Sequence, residues 1–245
     1  MSGRPPKTDL ERLQAKLWFT AVAVQSGMNA SQLERFFLKR LDPVDGDTKE
    51  LSHSWLKYAS GKRLPRDSKN GLGGVVSVVD SAFPGTAQWM RSSLWALLRF
   101  PELQNREIMK LVIRNAHSTL WQLFVNDDTR STRSMDFTMR PGGWQRLIRS
   151  KSFEAFGLML GYCRGKVRQG DRIAPAIVKD CRRWLHDAYN RFPTMREHRD
   201  ELIRVLHAFA PELGDLAYLG RIAPDYDWFS GSPLSQLFDS EFLDE

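Results

Sequence analysis

Apolar residues recur along this chain at intervals of three and four, the spacing of one helix face, over most of its length. Leu10, Leu13, Leu17, Ala21 and Val24 set the first stripe. Thr8 with Glu11 three residues later has the form of a capping box, and Gly27 is a natural stop, so a helix is predicted over residues 8–26. A second helix begins at Asn29 or Ser31 and carries Leu33, Phe36, Phe37 and Leu41. Asp42 to Asp47 reads as a loop. A third helix covers residues 49–59 with Leu51, Trp55 and Tyr58 apolar, and Gly61 stops it. A basic loop follows over residues 62–71.

The segment Val75-Val76-Ser77-Val78-Val79 is ambiguous. Its β-branched residues favour a strand, whereas its flanks and the lack of a partner strand favour a short buried helix to Ala82. Phe83-Pro84-Gly85 is a break, with Thr86 as the expected N-cap of the next helix. Further helices are predicted over 87–100, 102–124, 144–149, 153–164, 175–192, 195–210 and 213–218. A long polar loop from Asn126 to Gly143 holds Arg130, Arg133 and Arg140. No strand-like alternation and no repeat appears. The predicted fold class is therefore mainly α: a helix-turn-helix-like N-terminal unit (1–83), a larger multi-helix body (84–224) and an acidic, aromatic tail (225–245).

Composition agrees with a folded chain, 42% hydrophobic and 27% charged. The two cysteines, Cys163 and Cys181, are far apart and read as reduced core residues rather than zinc ligands. Residues 1–8 are basic and Pro-rich without the apolar stretch of a secretory signal. No apolar run approaches the ~20 residues of a membrane span. A cytoplasmic protein without membrane contact is expected. The net charge is +7, but the tail from Asp225 onward holds six acids and no Lys or Arg, so residues 1–224 carry +13. A body that basic attracts polyanions.

The most informative stretch is residues 28–83. Ser31-Gln32-Leu33-Glu34 opens one helix, Ser52-x-x-Trp55-x-x-Tyr58 lies on the next, and Gly61-Lys62-Arg63-Leu64-Pro65 follows before a further apolar helix. This resembles the lambda-repressor/Cro-like helix-turn-helix family over about a fifth of the chain. The resemblance implies a recognition helix whose apolar side packs inward through Leu51, Trp55 and Tyr58. Ser52, His53, Ser54 and Lys57 would then face the DNA, the first three tuning sequence preference and Lys57 joining Lys62, Arg63 and Arg66 on phosphates.

Other features carry less. The five histidines form no metal-binding spacing, and neither a G-x-S-x-G elbow nor a phosphate loop is present. Asp127-Asp128 and Asp225-x-Asp227 read as loop carboxylates. No catalytic residue, metal or cofactor is expected. Trp18, Trp89, Trp95, Trp121 and Trp184 fall in apolar helical patterns and are assigned to the core, while Trp144 and Trp228 lie beside loops and are expected at the surface. Arg164, Lys166, Arg168, Arg172, Lys179, Arg182 and Arg183 form a second basic cluster, either a polyanion patch or a solvated helix face. Gly3-Arg4-Pro5-Pro6-Lys7 reads as a basic terminus. The tail, with Tyr226, Trp228, Phe229, Phe238 and Phe242 among acids, is expected to dock on a partner or on the basic body.

Two functions follow. One is a prokaryotic-type regulator that binds duplex DNA through the helix-turn-helix-like unit and self-associates or meets a protein partner through its body and tail. The alternative is a non-catalytic helical subunit of a nucleoprotein or defence/mobile-element assembly. Its basic faces would meet protein or guide nucleic acid.

Overall fold

The structure, a computed structural model, describes residues 8–38, 54–67, 74–100 and 139–214, together with Glu107, Leu120, Leu123 and Leu216. Several sequence expectations lie outside these residues: the basic terminus at Arg4, the Asp42–Asp47 loop, Leu51, Ser52 and His53. So do Trp121, nearly all of the helix over 102–124, most of the 126–143 loop, and the tail with Trp228. The chain is mainly helical, with no strand among the described residues.

The chain divides into two compact units. The first is residues 1–91 with 192–202, and the second is 92–191 with 203–245. The first unit thus runs past the break at Phe83-Pro84-Gly85 and includes a segment that returns a hundred residues later.

In the first unit, α1 (Asp9–Ser26) begins with the expected capping box. Thr8 Oγ1 accepts the Glu11 N–H at 3.2 Å, and Glu11 accepts the Thr8 N–H at 3.3 Å. Gly27 ends the helix in the left-handed region at φ 68°. The helix buries more than one stripe, because Gln14, Trp18 and Val22 are buried as well as Leu10, Leu13, Leu17 and Ala21. Val24, expected in that stripe, is instead 50% exposed. It lines an open groove of about 520 Å³ with Phe19, Ala23, Met28 and Glu197.

Helix α2 (Ala30–Leu38) is capped by Asn29 and Gln32, whose side chains each accept the other's backbone N–H. Helix α3 (Ser54–Ala59) packs on both α1 and α2. Their shared core is aromatic. Trp55 stacks on Trp18 with centroids 5.6 Å apart and on Phe37 at 5.3 Å, and Tyr58 meets both tryptophans edge-on. Each such pair contributes about 0.5–1.5 kcal/mol beyond the area it buries.

The ambiguous valine segment is helical, as α4 (Val75–Ala82). Val76 and Val79, three residues apart, are both buried, a pairing that a strand's alternation would place on opposite faces. Thr86 does not cap the helix that follows. Its hydroxyl donates to Asp80 and to the Phe83 carbonyl, and the Asp80 carboxylate accepts the Ala87 N–H at 2.8 Å.

The helix expected over 87–100 is two, α5 (Gln88–Arg91) and α6 (Ser93–Arg99). Ser92 separates them with a non-helical backbone at φ −50° and ψ 136°, and its hydroxyl caps the Leu94 N–H at 3.2 Å. Later in the chain, α10 (Pro193–Glu197) and α11 (Arg199–Phe209) are separated by His198, where one helix was expected. The return segment is tied into the first unit by Lys16 to Glu201 at 2.6 Å, Thr20 to His198 at 2.8 Å, and Trp89 edge-on to Phe192.

In the second unit, α8 (Phe153–Arg168) is central, packed by α6, by α7 (Gly143–Ser150) and by α9 (Ala174–Arg191). Ser152 caps α8 through the Ala155 N–H. Phe156 stacks on Trp184 with centroids 4.8 Å apart. Trp144, expected at the surface, is 2% exposed, and its indole Nε1 donates to Asp180 at 2.9 Å. A short 3₁₀ turn covers Pro211–Leu213.

Candidate nucleic-acid interface

The candidate site is the end of α3 and the turn after it. Trp55 and Tyr58 point into the aromatic core, so Leu56 and Lys57 are left on the solvent side. The helix ends as its glycine suggests. Ser60 N–H donates to Leu56 O, Gly61 N–H to Tyr58 O, and Arg63 N–H to Lys57 O at 3.1 Å, with Gly61 at φ 69°. Gly61 also lies against α1, where any Cβ would sit 2.9 Å from the Arg12 carbonyl oxygen.

The turn exposes Lys62 and Arg66 and leaves Arg63 half-buried. Ser54, expected to face DNA, is 1% exposed, and its hydroxyl accepts from the Arg63 guanidinium at 3.1 Å. It therefore orients Arg63 and does not reach outward. Ser54 is covered together with its neighbour Trp55, both 1% exposed. The far end of the turn is clamped. Arg91 donates two hydrogen bonds to the Asp67 carboxylate, at 2.6 and 2.7 Å, and a third to the Ser77 hydroxyl at 2.6 Å. The bonds to Asp67 raise the Arg91 pKa further. The Arg66 carbonyl accepts the Val76 N–H at 3.4 Å, linking the turn to α4.

Lys57, Lys62, Arg63 and Arg66 thus lie together on one short, braced segment. Leu56, 53% exposed beside Lys57, was not singled out by sequence, which shows it only as one apolar residue in Trp-Leu-Lys-Tyr. Arg12 is the other neighbour that sequence misses, since only the packing of Gly61 brings it there.

The second basic cluster is largely committed to its own unit. Arg164 is 1% exposed, and its guanidinium donates to Glu212 at 2.7 Å, to Leu97 O at 3.0 Å and to Phe209 O at 2.6 Å. Lys166 pairs with Asp171 at 2.5 Å, and that bond holds the Asp171 carboxyl below its usual range. Arg182 donates to Leu213 O, and Arg183 lies 3.9 Å from Asp180. Arg168, Arg172 and Lys179 are the exposed members.

Cys163 and Cys181 are buried free thiols, and burial pushes the Cys181 thiol pKa well up. His198 is held neutral to lower pH, chiefly by burial. Among the described residues no three His, Cys, Asp or Glu side chains gather as metal ligands, and no helix is long and apolar enough to cross a membrane. Comparison with protein-family models, curated proteins and solved structures gives no match for this chain.

Proposed function

We propose that the chain binds duplex DNA through the turn that ends α3, as a regulator of the helix-turn-helix type. Lys57, Lys62, Arg63 and Arg66 contact phosphates, while Ser52 and His53 tune sequence preference. Ser54 acts through Arg63. The observation that carries this reading is the exposure of Lys57, Lys62 and Arg66 on a segment braced by Gly61, by Ser54–Arg63 and by Asp67–Arg91. A braced turn loses little conformational freedom on binding, so more of its electrostatic attraction survives as affinity.

The test is a fluorescence-anisotropy titration of the full chain with mixed-sequence duplex DNA at several salt concentrations. The Lys57→Ala/Lys62→Ala/Arg63→Ala/Arg66→Ala variant should bind more weakly, with a salt slope shallower by about 3–4. Binding equal to wild type would sink the reading.

The exposed Leu56 favours a second reading, in which this face meets a protein in a larger nucleoprotein assembly. A homodimer that protects a pseudo-palindromic site favours the regulator. A monomer that is stable only with a co-expressed partner favours the subunit.

A further inference from the structure

One side of α7 is cationic, with no carboxylate partner among the described residues. Trp144 and Leu147 are buried, and the Trp144–Asp180 hydrogen bond fixes the helix in its unit. Arg146 and Arg149, three residues apart and so neighbours on one face, are exposed. Lys151 follows, exposed and in the left-handed conformation at φ 53°, which few non-glycine residues adopt. None of the three is paired with a carboxylate among the described residues. From residue 137 to residue 153 the sequence has four Lys or Arg and no Asp or Glu. The contrast with Arg164, Lys166, Arg182 and Arg183, all bonded within the unit, is direct.

We propose that Arg146, Arg149 and Lys151 form a phosphate-contacting strip, a second nucleic-acid surface that belongs to the second unit and does not depend on the turn at Lys57–Arg66. Two guanidinium forks one helical turn apart suit a repeating anion such as a phosphodiester backbone. An acidic protein fits less well. Protein interfaces centre on buried apolar anchors, and the exposed large apolar side chains among the described residues are Val24, Leu56, Phe100 and Val167, none of them on α7.

The experiment uses the full chain and its Arg146→Gln/Arg149→Gln/Lys151→Gln variant, titrated with labelled duplex and single-stranded 20-mers between about 50 and 200 mM salt. The variant should bind about ten-fold more weakly at the lower salt, with a slope shallower by about 2–3, and its unfolding midpoint should not move. The turn variant runs alongside. If it binds as wild type while the strip variant is impaired, the strip stands and the turn reading falls. A strip variant with wild-type affinity and slope overturns the strip, and so does a wild-type chain that binds neither polymer at low salt. Polyglutamate binding that the strip variant loses while it keeps DNA binding also overturns it, in favour of an acidic protein partner.

Discussion

Gly61 rests on the backbone of Arg12 so closely that a Cβ at position 61 would lie 2.9 Å from the Arg12 carbonyl oxygen. Gly27 has nearly the same φ, 68° against 69°, but nothing within 4 Å of its missing Cβ. The two positions therefore separate backbone strain from crowding. Gly27→Ala should destabilise by about 1 kcal/mol through the left-handed conformation alone. Gly61→Ala should lose about 2–4 kcal/mol, because the clash adds to the strain. Urea unfolding of both variants checks this, and equal losses would show that α1 yields freely to the added methyl.

Arg164 is the buried strut of the second unit. Replacing it with Met would leave the Glu212 carboxylate, itself 7% exposed, and two backbone carbonyls without their donor. The expected loss is about 3–5 kcal/mol, since an unpaired buried charge is far worse than an absent pair. The double variant Arg164→Met/Glu212→Leu should be more stable than the single one. Urea midpoints for the three chains decide it, and a double variant weaker than the single would contradict the desolvation argument.

His198 provides a pH signature. Its pKa is lowered in the folded chain, first by burial and then by Lys16, against opposing pulls from Glu197 and Glu201. The neutral ring meets Thr20 Oγ1 at 2.8 Å. A lowered histidine pKa means that the unfolded chain takes up the proton first as pH falls. Stability is therefore whole above the unfolded value of about 6.5 and declines as pH drops toward the folded pKa. A His198→Gln variant lacks this component. Unfolding measured at pH 7.5 and at pH 5.5 should show a greater loss in wild type than in the variant, and parallel losses would mean that His198 titrates alike in both states.

Local chemistry made much of the helical fold legible. Thr8, Glu11 and Gly27 mark α1 because caps and stops act through residues a few positions away. The same holds for the turn at Gly61. Hidden from the sequence were features made by distant partners. Arg164 counts as a cation in any linear reading, yet its bonds go to Leu97, Phe209 and Glu212, 67, 45 and 48 residues away. Trp144 looked like a loop-side residue until Asp180, 36 positions on, supplied its acceptor. Ser54 failed as an outward residue for the same reason, since helical period says which residues share a face but not which face is covered. Arg146, Arg149 and Lys151 were visible as letters. They became distinctive only once Arg164, Lys166, Arg182 and Arg183 proved to be bonded within their own unit.

The return of residues 192–202 to the first unit has a consequence for how the molecule is made. Leaving the ribosome, α1 has no Glu201 for Lys16 and no His198 for Thr20, and Trp89 has no Phe192, until a further hundred residues, 92–191, have been synthesised. The first unit is thus sequentially discontinuous, and its last element arrives after most of the second unit's helices are already available to fold. A fragment cut at the obvious break after Phe83 would carry the braced turn without the segment that closes its own core, nor would it hold Arg91 to secure Asp67.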